Sequence, residues 1–243
     1  MKTEEFFSEL AKIAVANEYK FEDLRARIPL GVDETGRIAL SVDERLREGR
    51  KSGFGHTCVT GTGKTDFIRR LVLTLSGVYE AERITFLIVS PSREYAELVR
   101  LKGADVFAPV INSLDELWTV LSFVRSQAEL RKKSGQTPYG KLFLVLDGLE
   151  TLANGSLEVY LPFFKLASEG GVDVITGVEL SKSAFARSPE NFVGAENCLV
   201  TVMLPGSGDV TYVGENLALS LPKSFVYPEE TEFADAVTFV NGL

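Results

Sequence analysis

The segment Thr60-Gly61-Thr62-Gly63-Lys64-Thr65 constrains this chain more than any other. A glycine-rich turn ends in Gly-Lys-Thr, and an amphipathic stretch follows at once. Phe67, Ile68, Leu71, Val72 and Leu75 recur at helical spacing from about Lys64 onward. In a phosphate-binding loop the glycines let backbone N–H groups close on phosphate oxygens. The lysine reaches the outer phosphates, the threonine hydroxyl holds Mg²⁺, and the helix end adds its positive pole. The residues at stake are Thr60, Gly61, Thr62, Gly63, Lys64 and Thr65, with ATP and Mg²⁺ as the ligands. The pattern G-x-x-x-x-G-K-[ST] is incomplete, because the place of its first glycine is held by Cys58. A simpler reading is a Gly-Thr-Gly turn that opens a helix with a lysine beside it.

The second half of such a site is an acid at the end of an apolar strand, which holds the shell of the Mg²⁺. Leu142-Phe143-Leu144-Val145-Leu146-Asp147 has that form. The residue after Asp147 is Gly148, so no carboxylate stands next to it to activate water. Glu150 lies two positions too late, and Glu179 follows a later strand. These two are the weak candidates for a catalytic acid or base.

Strands and helices alternate through the rest of the chain. Thr3 to Asn17 reads as a helix and Ile28 to Val42 as a hairpin. Strands are expected at His56–Val59, Ile84–Val89, Val106–Ile111, Lys141–Leu146, Val172–Thr176 and Leu199–Met203, with an edge strand at Gly208–Val213. Short helices are expected at Arg93–Leu101 and Leu157–Ser168. Ser113-Leu114-Asp115-Glu116 is a capping box that starts a long helix, with Leu114, Leu117, Trp118, Leu121 and Val124 on its buried face. Trp118 is expected in the core. Pro228 to Leu243 closes the chain as a helix, with Phe233, Val237 and Val240 on one side. This order implies an α/β fold with a mostly parallel sheet flanked by helices, preceded by the N-terminal helix and hairpin. One domain is expected over 1–243, with 1–52 as an extension and 53–243 as the nucleotide-binding core.

Bulk composition narrows the chemistry. With 243 residues, 45% of them hydrophobic, the chain can bury one large core. A net charge of −8 argues against whole-surface attraction to nucleic acid. The single histidine, His56, excludes a multi-histidine metal site. Cys58 and Cys198 sit in apolar runs and read as reduced, buried residues. No apolar run reaches membrane-spanning length, so direct membrane insertion is not expected.

At this point the residues resemble a family. Ile28-Pro29-Leu30-Gly31-Val32-Asp33-Glu34, Gly53-Phe54-Gly55-His56 and Gly61-Thr62-Gly63-Lys64-Thr65-Asp66-Phe67-Ile68-Arg69 are similar to the entry of FtsK/SpoIIIE-type motor domains. The similarity extends to the degenerate C-terminal ATPase domains of type VII secretion proteins of the EssC kind. Ser90-Pro91-Ser92-Arg93, the long helix, the strand ending at Asp147 and Gly171-Val172-Asp173-Val174-Ile175 follow in the family's order. The resemblance covers about Ile28 to Val213. It implies a RecA-like P-loop NTPase fold and a cytoplasmic domain, tied to a membrane through a larger complex. It implies ATP and Mg²⁺ as cofactors, with Lys64 on the phosphates and Thr65 and Asp147 on the metal. The implied partners are copies in a ring or neighbouring ATPase domains, and a DNA or secreted-protein cargo. A ring also needs an arginine from a neighbour, for which Arg69, Arg70, Arg93 and Arg187 are the candidates.

Three features depart from the family together. The loop is short by about three residues. Asp147-Gly148 stands where the family has Asp-Glu, and Gly177-Val178-Glu179 stands where it often has a polar Ala-Thr-Gln sensor. Three functions follow from these residues. One is a translocase domain that binds ATP and hydrolyses it slowly or not at all. Another is a pseudo-ATPase module that recognises a secretion substrate or regulates neighbouring motor domains. The third is an autonomous ATPase using Glu150 or Glu179.

Overall fold

The computed structural model describes residues 29–32, 38–40, 56–78, 84–102, 104–134, 141–149, 152, 167, 170–178, 200–204, 211–214, 217–220 and 233–242. The helices expected at Thr3–Asn17 and Leu157–Ser168 lie outside these residues, apart from Ala167. The hairpin forms a small two-stranded antiparallel sheet from β1 (Pro29–Val32) and β2 (Ile38–Leu40).

Among the described residues the main sheet has eight strands. They are β3 (His56–Gly61), β4 (Ile84–Val89), β5 (Asp105–Phe107), β6 (Lys141–Asp147), β7 (Val172–Val178), β8 (Val200–Leu204), β9 (Thr211–Gly214) and β10 (Leu217–Ser220). Their spatial order is β10-β9-β8-β3-β7-β6-β4-β5. Among the described strands every neighbouring pair from β8 to β5 is parallel, and β9 runs antiparallel to both β8 and β10 at one edge. The parallel α/β sheet expected from the alternating elements is therefore present. The edge strand expected at Gly208–Val213 is one arm of the β9–β10 hairpin. The Val106–Ile111 strand shortens to β5 plus a bridge from Ser90 to Val110.

Helix α1 (Lys64–Val78) follows β3, and α2 (Leu114–Ser134) links β5 to β6. Helix α3 (Phe233–Val240) closes the chain. The short helix expected at Arg93–Leu101 is a 3₁₀ turn over Ala96–Arg100. Asn241, just past α3, ties the chain end to this turn. It accepts the Lys102 N–H at 2.6 Å and donates to the Arg100 carbonyl at 2.9 Å.

The two faces of β6 follow its period of two. Leu142, Leu144 and Leu146 face one layer with Val172 and Val174, where Leu117, Leu121, Val124 and Ala128 of α2 cover them. Phe143, Val145 and Asp147 alternate with these residues. Phe143 stacks on Phe86 at 5.0 Å between ring centroids. Helix α1 lies against β3 and β7 and buries Ile68, Leu71 and Leu75.

Helix α2 starts as its capping box predicts, with one shift. The Glu116 N–H donates to Ser113 Oγ at 3.3 Å, but the Glu116 carboxylate accepts the Asn112 N–H at 2.7 Å rather than that of Ser113. Its buried stripe is Leu117, Leu121, Val124, Ala128 and Arg131. Leu114 and Trp118 do not belong to it and are 40% and 48% exposed. Trp118 sits about 100° around the helix from Leu117, which turns it off the sheet. Arg131 is 5% exposed, and burial lowers its pKa while the charge of Asp173 raises it again. Asp173 in turn pairs with Lys141 at 2.7 Å.

The turn into β7 shows how closely α2 is seated. A Cβ added at Gly170 would lie 2.6 Å from the Ala128 backbone, whereas at Gly171 it would meet nothing, although Gly171 has φ +72°. Gly170→Ala is expected to cost about 1–3 kcal/mol by overpacking. Gly171→Ala is expected to cost about 1–2 kcal/mol by backbone strain alone. Urea unfolding with parallel slopes checks both. Gly170→Ala should also shift the signals of the α2 residues around Ala128, which Gly171→Ala should leave in place.

Candidate functional site

The Gly-Lys-Thr segment, Asp147 and the turn at Ser90 all lie at the carboxyl ends of parallel strands. That is where open α/β sheets place their ligands. Strand β3 runs two residues further than expected. Thr60 pairs with Val178 of β7 and Met203 of β8, and Gly61 pairs with Leu204. Helix α1 begins at Lys64, so only Thr62 and Gly63 join strand to helix. Gly61 has φ +103° and Gly63 φ +81°, conformations open to glycine. With Thr60 and Gly61 held in the sheet, a phosphate could meet only this two-residue turn, Lys64 and the first turn of α1. The first bond of that helix, from the Phe67 N–H to the Gly63 carbonyl, is 3.0 Å long. The preceding amides are the donors a helix end leaves over. Lys64 and Thr65 are half-buried beside them.

Asp147 ends β6 two strands away from β3, with β7 between them. Its carboxylate nevertheless reaches α1. Thr65 Oγ1 donates to Asp147 Oδ2 at 2.6 Å. Gly177 makes this crossing possible. A Cβ there would collide with Asp147 Oδ1 and lie 2.9 Å from both Asp147 Cγ and Ile68 Cδ1. Gly177 opens the Gly177-Val178-Glu179 triplet that stands where the family often has Ala-Thr-Gln, and it supplies room for the carboxylate. The sequence held the signal, a glycine in an apolar strand, which marks a close approach.

A second hydroxyl occupies the same carboxylate oxygen. Tyr95 Oη donates to Asp147 Oδ2 at 2.8 Å. Tyr95 is 1% exposed and Asp147 3% exposed. Burial above all, then the charge and hydrogen bond of Asp147 and the charge of Glu94, pushes the phenol far above the ordinary tyrosine range, against a smaller opposing pull from Arg69. The phenol therefore keeps its proton and acts as a donor. Nothing in the sequence reading pointed to Tyr95, which sits in a polar stretch after β4. Asp147 Oδ1 is buried with no hydrogen-bond partner, in the space beside Gly177 and Ile68 Cδ1.

This arrangement fits a magnesium ion only in part. A threonine hydroxyl that donates to the carboxylate has its lone pairs left for a cation, so the Thr65–Asp147 pair suits the role. Mg²⁺, however, retains several waters that need acceptors. Asp147 Oδ2 already takes two hydroxyl protons, one of them from Tyr95 where a shell water would donate, and the acceptor left over is Oδ1, buried beside Gly177. At Oδ2, then, the residues do not fit a hydrated Mg²⁺. Among the described residues no group of three or more His, Cys, Asp or Glu could hold a metal.

Backbone strain also disfavours a base at the position after Asp147. Gly148 has φ +71°, and a Cβ there would lie 3.6 Å from Pro91 Cδ and Cγ. Glu150, Glu179 and Arg187 lie outside the described residues. Arg69 pairs with Glu97 at 2.8 Å and sits 4.0 Å over the Phe233 ring. Arg70 pairs with Asp66 at 2.8 Å. Of the described arginines proposed to serve a neighbour, Arg93 is the exposed one.

The Tyr95 phenol carries a linkage to pH. Its pKa is raised on folding, so its contribution is fully present below the unfolded value of 10.0 and declines as pH rises past it. Tyr95→Phe is expected to cost about 1.5–3 kcal/mol near neutral pH, the scale of a bond to a charged group. Above the unfolded pKa the gap between wild type and variant should close by about 1.4 kcal/mol per pH unit. Urea unfolding of the two proteins from neutral pH into the alkaline range checks the slope.

No family profile matches the chain. The ESX secretion system protein EccC of Thermomonospora curvata is 25% identical over 183 residues, which cover 62% of this chain and 14% of EccC. The solved structure of T. curvata EccC ATPases 2 and 3 in complex with a signal sequence peptide superposes with a TM-score of 0.55 at 17% identity. That match covers 84% of this chain and 37% of the other. EssC ATPases 2 and 3 from Geobacillus thermodenitrificans give a TM-score of 0.59 at 14% identity, over 89% of this chain and 49% of theirs. The pCW3 conjugation coupling protein TcpA, solved with ATPγS, gives 0.54 at 12% identity, over 89% and 70%. The chain thus spans less than half of the secretion proteins it matches. These are the kinds of protein that the Gly-Lys-Thr and Asp147 segments resemble, and the chain has the P-loop ATPase fold of the EccC and EssC domains.

Proposed function

We propose that this chain is a P-loop domain that does not hydrolyse ATP and serves as a binding or assembly module beside other ATPase domains of a secretion machine. The observation that carries this reading is the end of β6. Asp147 is saturated on Oδ2 by Thr65 and Tyr95, and the next residue is a glycine whose φ of +71° disfavours any side chain. General-base catalysis needs a group within hydrogen-bond reach of the attacking water, and none is found there among the described residues.

The cargo we propose is a secreted polypeptide. Support comes from the similarity to EccC and EssC domains, one of them solved with a signal sequence peptide. A net charge of −8 favours it over DNA, although TcpA belongs to conjugation. An apolar groove of about 920 Å³ between β5 and α2 also supports a peptide-binding role. Val99, Phe107 and Phe123 line it, and all three are more than half exposed. No described helix is long and apolar enough to cross a membrane. The setting proposed is a cytoplasmic domain held to a membrane by its complex, next to other ATPase domains or copies of itself.

A second reading keeps weak nucleotide binding. The free amides that open α1 and the half-buried Lys64 beside them favour it. Calorimetry with ATP tests this part, with Lys64→Ala as control. Turnover tests the main claim. Wild type is expected to release no phosphate above a protein-free blank. Gly148→Glu is expected to remain inactive and to lose about 1–2 kcal/mol of stability to backbone strain. Phosphate release that disappears in Glu150→Gln or Glu179→Gln would overturn the proposal and establish the autonomous ATPase instead.

A further inference from the structure

We propose that the Tyr95 hydroxyl takes the place of a metal-bound water at Asp147, which makes this P-loop domain indifferent to divalent cations. The inference deepens the non-hydrolysing reading and gives it a residue-level cause. In a magnesium site the strand-end aspartate accepts protons from waters of the metal shell, and the loop threonine coordinates the ion. Here the threonine half of that geometry is intact, at 2.6 Å. The water half is replaced by a phenol at 2.8 Å.

The substitution is built into the fold. Tyr95 precedes the 3₁₀ turn at Ala96–Arg100, and its carbonyl accepts the Leu98 N–H at 3.1 Å. The ring is among the largest fully buried side chains. The same turn is anchored from outside by Asn241 and by the Arg69–Glu97 pair. A water in that position could exchange and could belong to an arriving ion. A buried phenol on an anchored turn can do neither. It supplies a hydrogen-bond proton to Oδ2 and brings no positive charge. Asp147 Oδ2 thus receives two neutral donors, while Oδ1 stays buried without a partner.

The test uses Mn²⁺ alone, without nucleotide, so that it stands apart from the binding and turnover assays above. Free Mn²⁺ is followed by electron paramagnetic resonance during titration into wild type, Asp147→Asn, Tyr95→Phe, and Tyr95→Phe with Asp147→Asn. Wild type is expected to take up no Mn²⁺ through the millimolar range. Tyr95→Phe is expected to gain one site, with affinity raised roughly ten- to a hundredfold, the scale for partners that act through a metal's outer sphere. Adding Asp147→Asn should abolish it. A wild-type site that Asp147→Asn removes would overturn the proposal, and so would a folded Tyr95→Phe protein that binds no Mn²⁺. Tyr95→Met serves as the second variant if the phenylalanine form does not fold, and the wild-type titration decides against the proposal on its own.

Discussion

The candidate site depends on one buried carboxylate. Asp147 is 3% exposed, and removing a carboxylate from water costs several kcal/mol unless its charge is answered. Two hydroxyls answer it on one oxygen, from Thr65 of α1 and from Tyr95 beyond β4. The carboxylate therefore ties together the end of β6, the start of α1 and the turn after β4. Gly177 is what lets it do so, because any side chain there would occupy the space of Oδ1. The same contacts put Tyr95 on Oδ2, where a shell water of a metal ion would donate, and the acceptor that remains, Oδ1, is buried.

Much of the architecture was legible in the sequence. The continuous apolar runs of β4 and β6 are the mark of a parallel sheet covered on both faces, and both lie where the residues place them. Gly63-Lys64-Thr65 fixed the start of α1 for a local reason: a glycine at positive φ turns the chain and the helix pattern begins at once. Thr65 and Asp147 were read as two ligands of one Mg²⁺, and the structure brings them into a direct hydrogen bond. Trp118 was misplaced because its neighbours Leu117 and Leu121 define the helix face, and one step of rotation puts the indole outside it.

Tyr95 was illegible, and Gly177 carried no more than the general signal of a close approach, for a different reason. Their roles depend on which strands become neighbours, and sequence spacing does not contain that information. Tyr95 lies 52 residues from Asp147, and Gly177 matters only because β7 inserts between β3 and β6. Glycine at 148 was read as a missing base. Its positive φ adds that the backbone there disfavours a side chain. Loop length, Gly148 and Tyr95 are the three observations on which the proposed non-hydrolysing reading rests.

The most direct test of this account is nucleotide binding to the wild-type protein and to Asp147→Asn by calorimetry, run once with Mg²⁺ and once with EDTA. A carboxylate occupied by Tyr95 predicts that any Mg²⁺-dependent part of the binding heat is the same in Asp147→Asn as in wild type. A Mg²⁺-dependent heat that Asp147→Asn removes would contradict the account, because the ion would then have to displace the phenol from Asp147.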